Sequence, residues 1–126
     1  MSDDNIQIMV LDDEEIVGKR LKTALEKSDY DVEIFQDSRK AVERIAGKEF
    51  DIVVTDIRME GIGGMTVLEH ALENSARTKV IVITGYATVE VAREALTRGA
   101  FDFIAKPFKP EDLRKVIAKA VQELRP

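Results

Sequence analysis

The chain has 126 residues, the size of one ordinary domain, and its 44% hydrophobic and 34% charged content excludes a disordered chain. It holds no cysteine, which excludes disulfides, thiol nucleophiles and thiolate metal sites. A net charge of −5 argues against direct DNA or RNA binding by this chain, and no apolar run approaches the length of a membrane span.

The polar, acidic start "MSDDNIQ" has neither signal-peptide nor transit-peptide character, so a cytoplasmic location is expected. "IQIMVL" (6–11) then reads as a strand. Val17, Leu21, Ala24 and Leu25 follow at helical spacing. "DVEIF" (31–35) alternates more and suits a strand near a sheet edge. "SRKAVERIAG" predicts a helix with Ser38 as N-cap, Ala41, Val42 and Ile45 as its apolar face, and Gly47 as its stop. "IVVT" (52–55) is a third strand, delivering Asp56 at its end. Met65, Leu68 and Leu72 mark a third helix, and "VIVIT" (80–84) a fourth strand. Val91, Ala92, Ala95 and Leu96 mark a fourth helix, closed by Gly99. "FDFIA" (101–105) is a second edge-like strand. A long stripe of Leu113, Val116, Ile117, Ala120, Val121 and Leu124 makes the last helix.

Five strand–helix pairs predict a doubly wound α/β fold, (βα)5, with a parallel sheet and right-handed crossovers. The uninterrupted apolar strands suit burial on both faces. Residues 1–126 are read as one domain, and the flavodoxin-like strand order 2-1-3-4-5 is expected.

In such a sheet the strand ends share one edge, and ligands bind where strand order reverses. Asp12 and Asp13 follow the first strand, Asp56 the third, Thr84 ends the fourth, and Lys106 follows the fifth. Three converging carboxylates repel one another, and an oxygen-ligated Mg²⁺ relieves that. A single His and no Cys argue against zinc or copper. A lysine and a hydroxyl beside the metal suit a phosphoryl group. Without a Gly-rich nucleotide loop, the phosphoryl group is expected on the protein, with a strand-end Asp as nucleophile. Each residue alone has an ordinary explanation. The acids 12–15 suit a helix N-terminus, and Asp56 could be a cap. Only the joint pattern at four strand ends points to one site.

With these residues in place, the chain resembles the receiver domain of two-component response regulators. The resemblance is carried by "VLDDEE" (10–15), "VVTDIRM" (53–59), "VITGYA" (82–87) and "FIAKPF" (103–108), in order and along nearly the whole chain. It implies that Asp56 accepts the phosphoryl group from a sensor histidine kinase. It further implies that Asp13 ligates Mg²⁺ directly, Asp12 holds metal-bound water, and the Arg58 backbone carbonyl is another ligand. Thr84 and Lys106 would bind the phosphoryl oxygens, Lys106–Pro107 would be a cis peptide, and Phe103 would be an aromatic switch. Arg58 and Tyr86 border the path of attacking water in this reading. Two residues depart from the family pattern. Glu60 stands where a proline is usual, and Gly63 where an Asp is frequent.

The function expected is a phosphorylation-controlled switch that catalyses only its own phosphorylation and dephosphorylation. The alternatives are a Mg²⁺-dependent phosphohydrolase with an aspartyl-phosphate intermediate, or an interaction module independent of phosphate. A hydrolase would want a second acid–base group near the nucleophile, and arginine at 58 cannot serve. His70 lies off the apolar face of its helix and is read as a surface residue. The fourth helix, fifth strand and last helix carry both signs of charge, so this face is a candidate for a two-fold homodimer.

Overall fold

Runs of β-branched residues pack best on a pleated surface, and amphipathic stretches between them must cover it. The computed structural model describes residues 5–57, 63–85 and 89–125 and has this alternation. Its elements are β1 (Gln7–Leu11), α1 (Glu15–Glu26), β2 (Asp31–Phe35), α2 (Ser38–Gly47), β3 (Ile52–Asp56), α3 (Gly64–Asn74), β4 (Lys79–Thr84), α4 (Val89–Thr97), β5 (Asp102–Ala105) and α5 (Pro110–Leu124). All strand pairings are parallel, and the order is β2-β1-β3-β4-β5, as expected.

Alternate residues of the central strands feed two separate cores. Ile8, Val10, Ile52, Val54, Ile81 and Ile83 face Leu21 and Leu25 of α1 and Leu113 and Ile117 of α5. Met9, Leu11, Val53, Val80 and Val82 face Ile45 of α2, Leu68 of α3 and Ala95 of α4. Burial on both faces is why these three strands carry almost no polar residue. The edge strands β2 and β5 are only partly buried, which accounts for their alternation.

Two local expectations, at α2 and α4, are corrected. The N-cap of α2 is Asp37, not Ser38: Asp37 is extended, and its Oδ1 accepts the Arg39 N–H at 2.8 Å. Ser38 is the first helical residue and is buried. Met65, Leu68 and Leu72 do lie on α3 and pack on the core, Leu68 fully and the other two partly, while Gly64, Val67 and Ala71 complete the buried face. Small residues let this helix sit close to the sheet, so the larger side chains flank the contact. Leu96, placed in the apolar stripe of α4, is 50% exposed, and only Ala95 of that helix is buried. Gly99 does close the α4 segment, with φ of +107°.

A charged cluster covers the β2 edge. Glu33 accepts hydrogen bonds from Arg44 Nε at 2.9 Å and Nη2 at 3.0 Å, and from Lys48 Nζ at 2.8 Å. The Arg44 hydrogen bonds pull its carboxyl down to about 2, burial opposes them, and Lys48 adds to the pull. A depressed carboxyl stabilises the fold above its unfolded value of 4.5 and loses that contribution as pH falls through about 2. Glu33→Gln should therefore lower stability by roughly 0.5–1 kcal/mol near neutrality, a size limited by solvent screening. Chemical denaturation of both proteins should show the difference shrinking between pH 4.5 and 2.

Candidate functional site

The carboxyl ends of β1, β3, β4 and β5 supply the residues of the site. The Asp12 N–H donates to the Phe35 carbonyl at 3.0 Å, continuing the β1–β2 ladder by one residue. Asp12 Oδ1 then accepts the Glu14 N–H at 2.8 Å, which turns the chain into α1 and orients the carboxylate. Asp12 is buried, whereas Asp13 is exposed. Asp56 is the last residue of β3, buried and in register with Ile83 of β4. The Ile57 N–H donates to the Ile83 carbonyl at 3.1 Å, so the ladder holds the backbone just beyond Asp56. Thr84 ends β4 and is buried. The Lys106 N–H donates to the Thr84 carbonyl at 2.8 Å, which carries β5 pairing up to the lysine.

The Lys106 ammonium lies between the acids. Its Nζ is 2.6 Å from Asp56 Oδ2, 2.8 Å from Asp12 Oδ2 and 3.6 Å from Glu14 Oε1. Burial alone would push the lysine pKa down. The contacts with Asp12 and Asp56 outweigh burial and hold it above the ordinary range. Asp12, Asp13 and Asp56 each offer a carboxylate oxygen, and these lie within 4.8 Å of one another.

One ammonium does not neutralise this group. Asp12 Oδ2 is buried and receives no well-directed hydrogen bond, although the Lys106 charge is 2.8 Å away. A buried anionic oxygen short of partners, in an all-oxygen donor set, fits a hard divalent cation. The aspartates at 12, 13 and 56 are thus brought together with Lys106, and Thr84 ends the strand beside them. Arg58, Glu60 and Tyr86 lie outside the described residues, so the Arg58 carbonyl, the Glu60 departure and the shielding of water by Arg58 and Tyr86 are not placed. Lys106–Pro107 is cis. Phe103 is half-buried on β5 and packs on the core shared by α2, α3 and α4. His70 is exposed, with Nδ1 4.0 Å from Glu73 Oε1.

Two residues escaped the sequence reading. Glu14 adds a fourth carboxylate within reach of Lys106; its only signal was membership of the acidic run 12–15. Gly64 opens α3 hard against the end of β3, where an added Cβ would stand 2.6 Å from Ile57 Cα. A glycine before an apolar helix gives no warning of that proximity.

Comparisons with known proteins agree with this architecture. A family model described as the response regulator receiver domain matches residues 8–118. The regulatory protein AtoC of Escherichia coli (strain K12) is 36% identical over 116 residues, which is 92% of this chain and 25% of that protein. The chain spans 25%, 58% and 27% of the lengths of three such curated relatives. Among solved structures, a CheY-like receiver domain protein from Methanospirillum hungatei JF-1 superposes with a TM-score of 0.89 at 30% identity, covering 94% of this chain and 95% of that one. The beryllofluoride-activated NtrC4 receiver domain dimer, a solution structure, gives 0.86 at 34% identity, covering 92% and 96%. With the family model covering all of the sheet but Gln7, four of the five helices whole and most of α5, the chain belongs to the response regulator receiver domain family of two-component signalling proteins.

Proposed function

We propose that this chain is a phosphorylation-controlled signalling switch, with Asp56 as phosphoacceptor and a sensor histidine kinase as donor. The observation that carries the reading is the Lys106 ammonium held between Asp56 and Asp12 inside a cluster of carboxylates. An Asp56 carboxylate oxygen attacks the phosphorus of the donor's phosphohistidine. The new P–O bond forms as the P–N bond breaks, and the imidazole leaves with the bonding pair. Mg²⁺ held by Asp12, Asp13, Asp56 and the Arg58 carbonyl would supply charge neutralisation of the phosphoryl oxygens. Lys106 turns from the carboxylates to one phosphoryl oxygen, and the Thr84 hydroxyl donates to another. The residues orient the group and stabilise its charge, so the chain acts on itself and not as an enzyme turning over a separate substrate.

Residues 1–126 are taken as one receiver domain. None of its described helices is long and apolar enough to cross a membrane. Cytoplasmic location is part of this reading, and the net charge of −5 argues against direct nucleic-acid binding by this chain. The relatives include proteins named as transcriptional regulators, and an output domain or partner of that kind is part of this reading. Incubation with a small phosphodonor, with Mg²⁺ or with a chelator, tests it by intact mass. One added phosphoryl group should appear only with Mg²⁺, and no addition under either condition overturns the assignment.

The output is proposed to pass through Thr84 and Phe103 to the face formed by α4, β5 and α5. This face carries Val89 at 68% and Leu96 at 50% exposure among charged residues, a composition suited to a two-fold dimer. Phosphodonor and Mg²⁺ should shift the protein from monomer toward dimer in sedimentation velocity. Leu96→Asp should weaken that dimer roughly tenfold or more while leaving labelling intact. A phosphorylated protein that stays monomeric at high concentration removes this face from the mechanism.

A further inference from the structure

Asp12 Oδ2 has two competing uses. Lys106 Nζ lies 2.8 Å from it, and Asp12 belongs to the trio that fits a divalent cation. A divalent cation held at Asp12 repels an ammonium on the same enclosed carboxylate, at short range in a medium of low dielectric, and so weakens the hold of Asp12 on Lys106. Another acceptor for the Lys106 ammonium then favours the metal-bound state.

We infer that Glu14 is the positioning residue that takes up the Lys106 ammonium when Asp12 turns to a metal ion, and so sets how tightly the aspartate trio holds that ion. Within 4.0 Å of Lys106 Nζ, the acidic partners among the described residues are Asp12, Asp56 and Glu14. Asp12 and Asp56 both belong to the trio, so Glu14 is the acceptor left over. Its position is fixed from two directions. Its backbone N–H is held by Asp12 Oδ1, and it is the N-cap residue of α1. Its side chain is 62% exposed, so an ion pair there escapes most of the desolvation cost of the buried pair. Glu14 and Lys106 also line the same cleft of about 430 Å³, which leaves the ammonium room to swing without displacing core side chains.

The inference rests on the reading that the trio takes Mg²⁺, and a double-variant cycle separates the two. Mg²⁺ dissociation constants are measured by amide chemical shifts for the wild type, Glu14→Gln, Lys106→Met and the double variant. Lys106→Gln serves as a second lysine-free background. Glu15→Gln is the control for a charge one position along, since Glu15 pairs with Lys19 at 3.4 Å. Glu14→Gln should weaken Mg²⁺ binding about two- to fivefold more than Glu15→Gln does, the range of a solvent-exposed ion pair. In both lysine-free backgrounds that excess should vanish, leaving only the effect of a lost nearby charge. Equal weakening by Glu14→Gln with and without Lys106 overturns the inference and leaves the metal reading standing. A wild type that takes up no Mg²⁺ overturns both.

Discussion

Asp56→Asn should reduce phosphoryl labelling by roughly a thousandfold or more, the scale on which loss of a nucleophile acts. The amide keeps the shape of the side chain, and its oxygen can still accept from Lys106, which lies 2.6 Å from Asp56 Oδ2. What it lacks is the negative oxygen proposed to attack phosphorus. The backbone at 56 is fixed independently, by pairing with β4 and by the Ile57 N–H to Ile83 carbonyl bond. The fold should therefore survive, and thermal melts of the two proteins should be cooperative alike. Intact mass after exposure to phosphodonor and Mg²⁺ is the readout, with peptide mapping to exclude transfer to Asp12 or Asp13. Labelling of the variant to the wild-type extent would move the phosphoacceptor away from Asp56.

A carboxylate at the end of an apolar strand is costly to place unless the fold provides for it. Here the strand must be apolar because α1 and α5 cover one face of the sheet and α2, α3 and α4 cover the other. It must end in a polar residue because its last position meets the crevice where strand order reverses. Both demands are local enough to leave a mark in sequence. That is why the runs at 52–55 and 80–84, and the strand ends at Asp12, Asp56, Thr84 and Lys106, were readable in order. The alternation of β2 and β5 was readable for the same reason, since edge strands are only half covered.

The misread features depend on distances that spacing does not encode. Periodicity placed Leu96 on the apolar side of α4, but α4 rests on the sheet through Ala95, and the neighbouring position turns outward. Ser38 and Asp37 are both competent caps; the choice between them is set by which residue is the last extended one, and that is Asp37. Glu14 was legible as an acid but not as a neighbour of Lys106, because that meeting depends on how the chain after β5 approaches the start of α1.

Gly64 is the strongest case of such hidden proximity, and Gly64→Ala should destabilise the fold by about 2–3 kcal/mol, or roughly 5–15 °C in Tm. An added Cβ would stand 2.6 Å from Ile57 Cα and 3.0 Å from the Asp56 carbonyl carbon, and closer still to the Asp56 oxygen. These are backbone atoms at the end of β3, and unlike a side chain they cannot rotate away. Helix α3 cannot easily retreat either, since Val67, Leu68 and Ala71 are packed in the core. Retreat would also stretch the 3.1 Å bond from the Gly64 N–H to the Ile57 carbonyl. Any relief must come from moving the peptide that carries Asp56, so the variant that remains folded should also label more slowly with phosphodonor. Gly63→Ala is the control. Its φ is −77°, and among the described residues its added Cβ would meet the Ile57 carbonyl oxygen, at an ordinary 3.8 Å. Gly63 is the N-cap residue of α3, where alanine caps less well than glycine, so that substitution should cost about 0.5–1 kcal/mol, clearly less than at Gly64. Thermal or urea denaturation of the two alanine variants decides the matter. If Gly64→Ala proves as stable as Gly63→Ala, the close approach of α3 does not hold the Asp56 backbone in place.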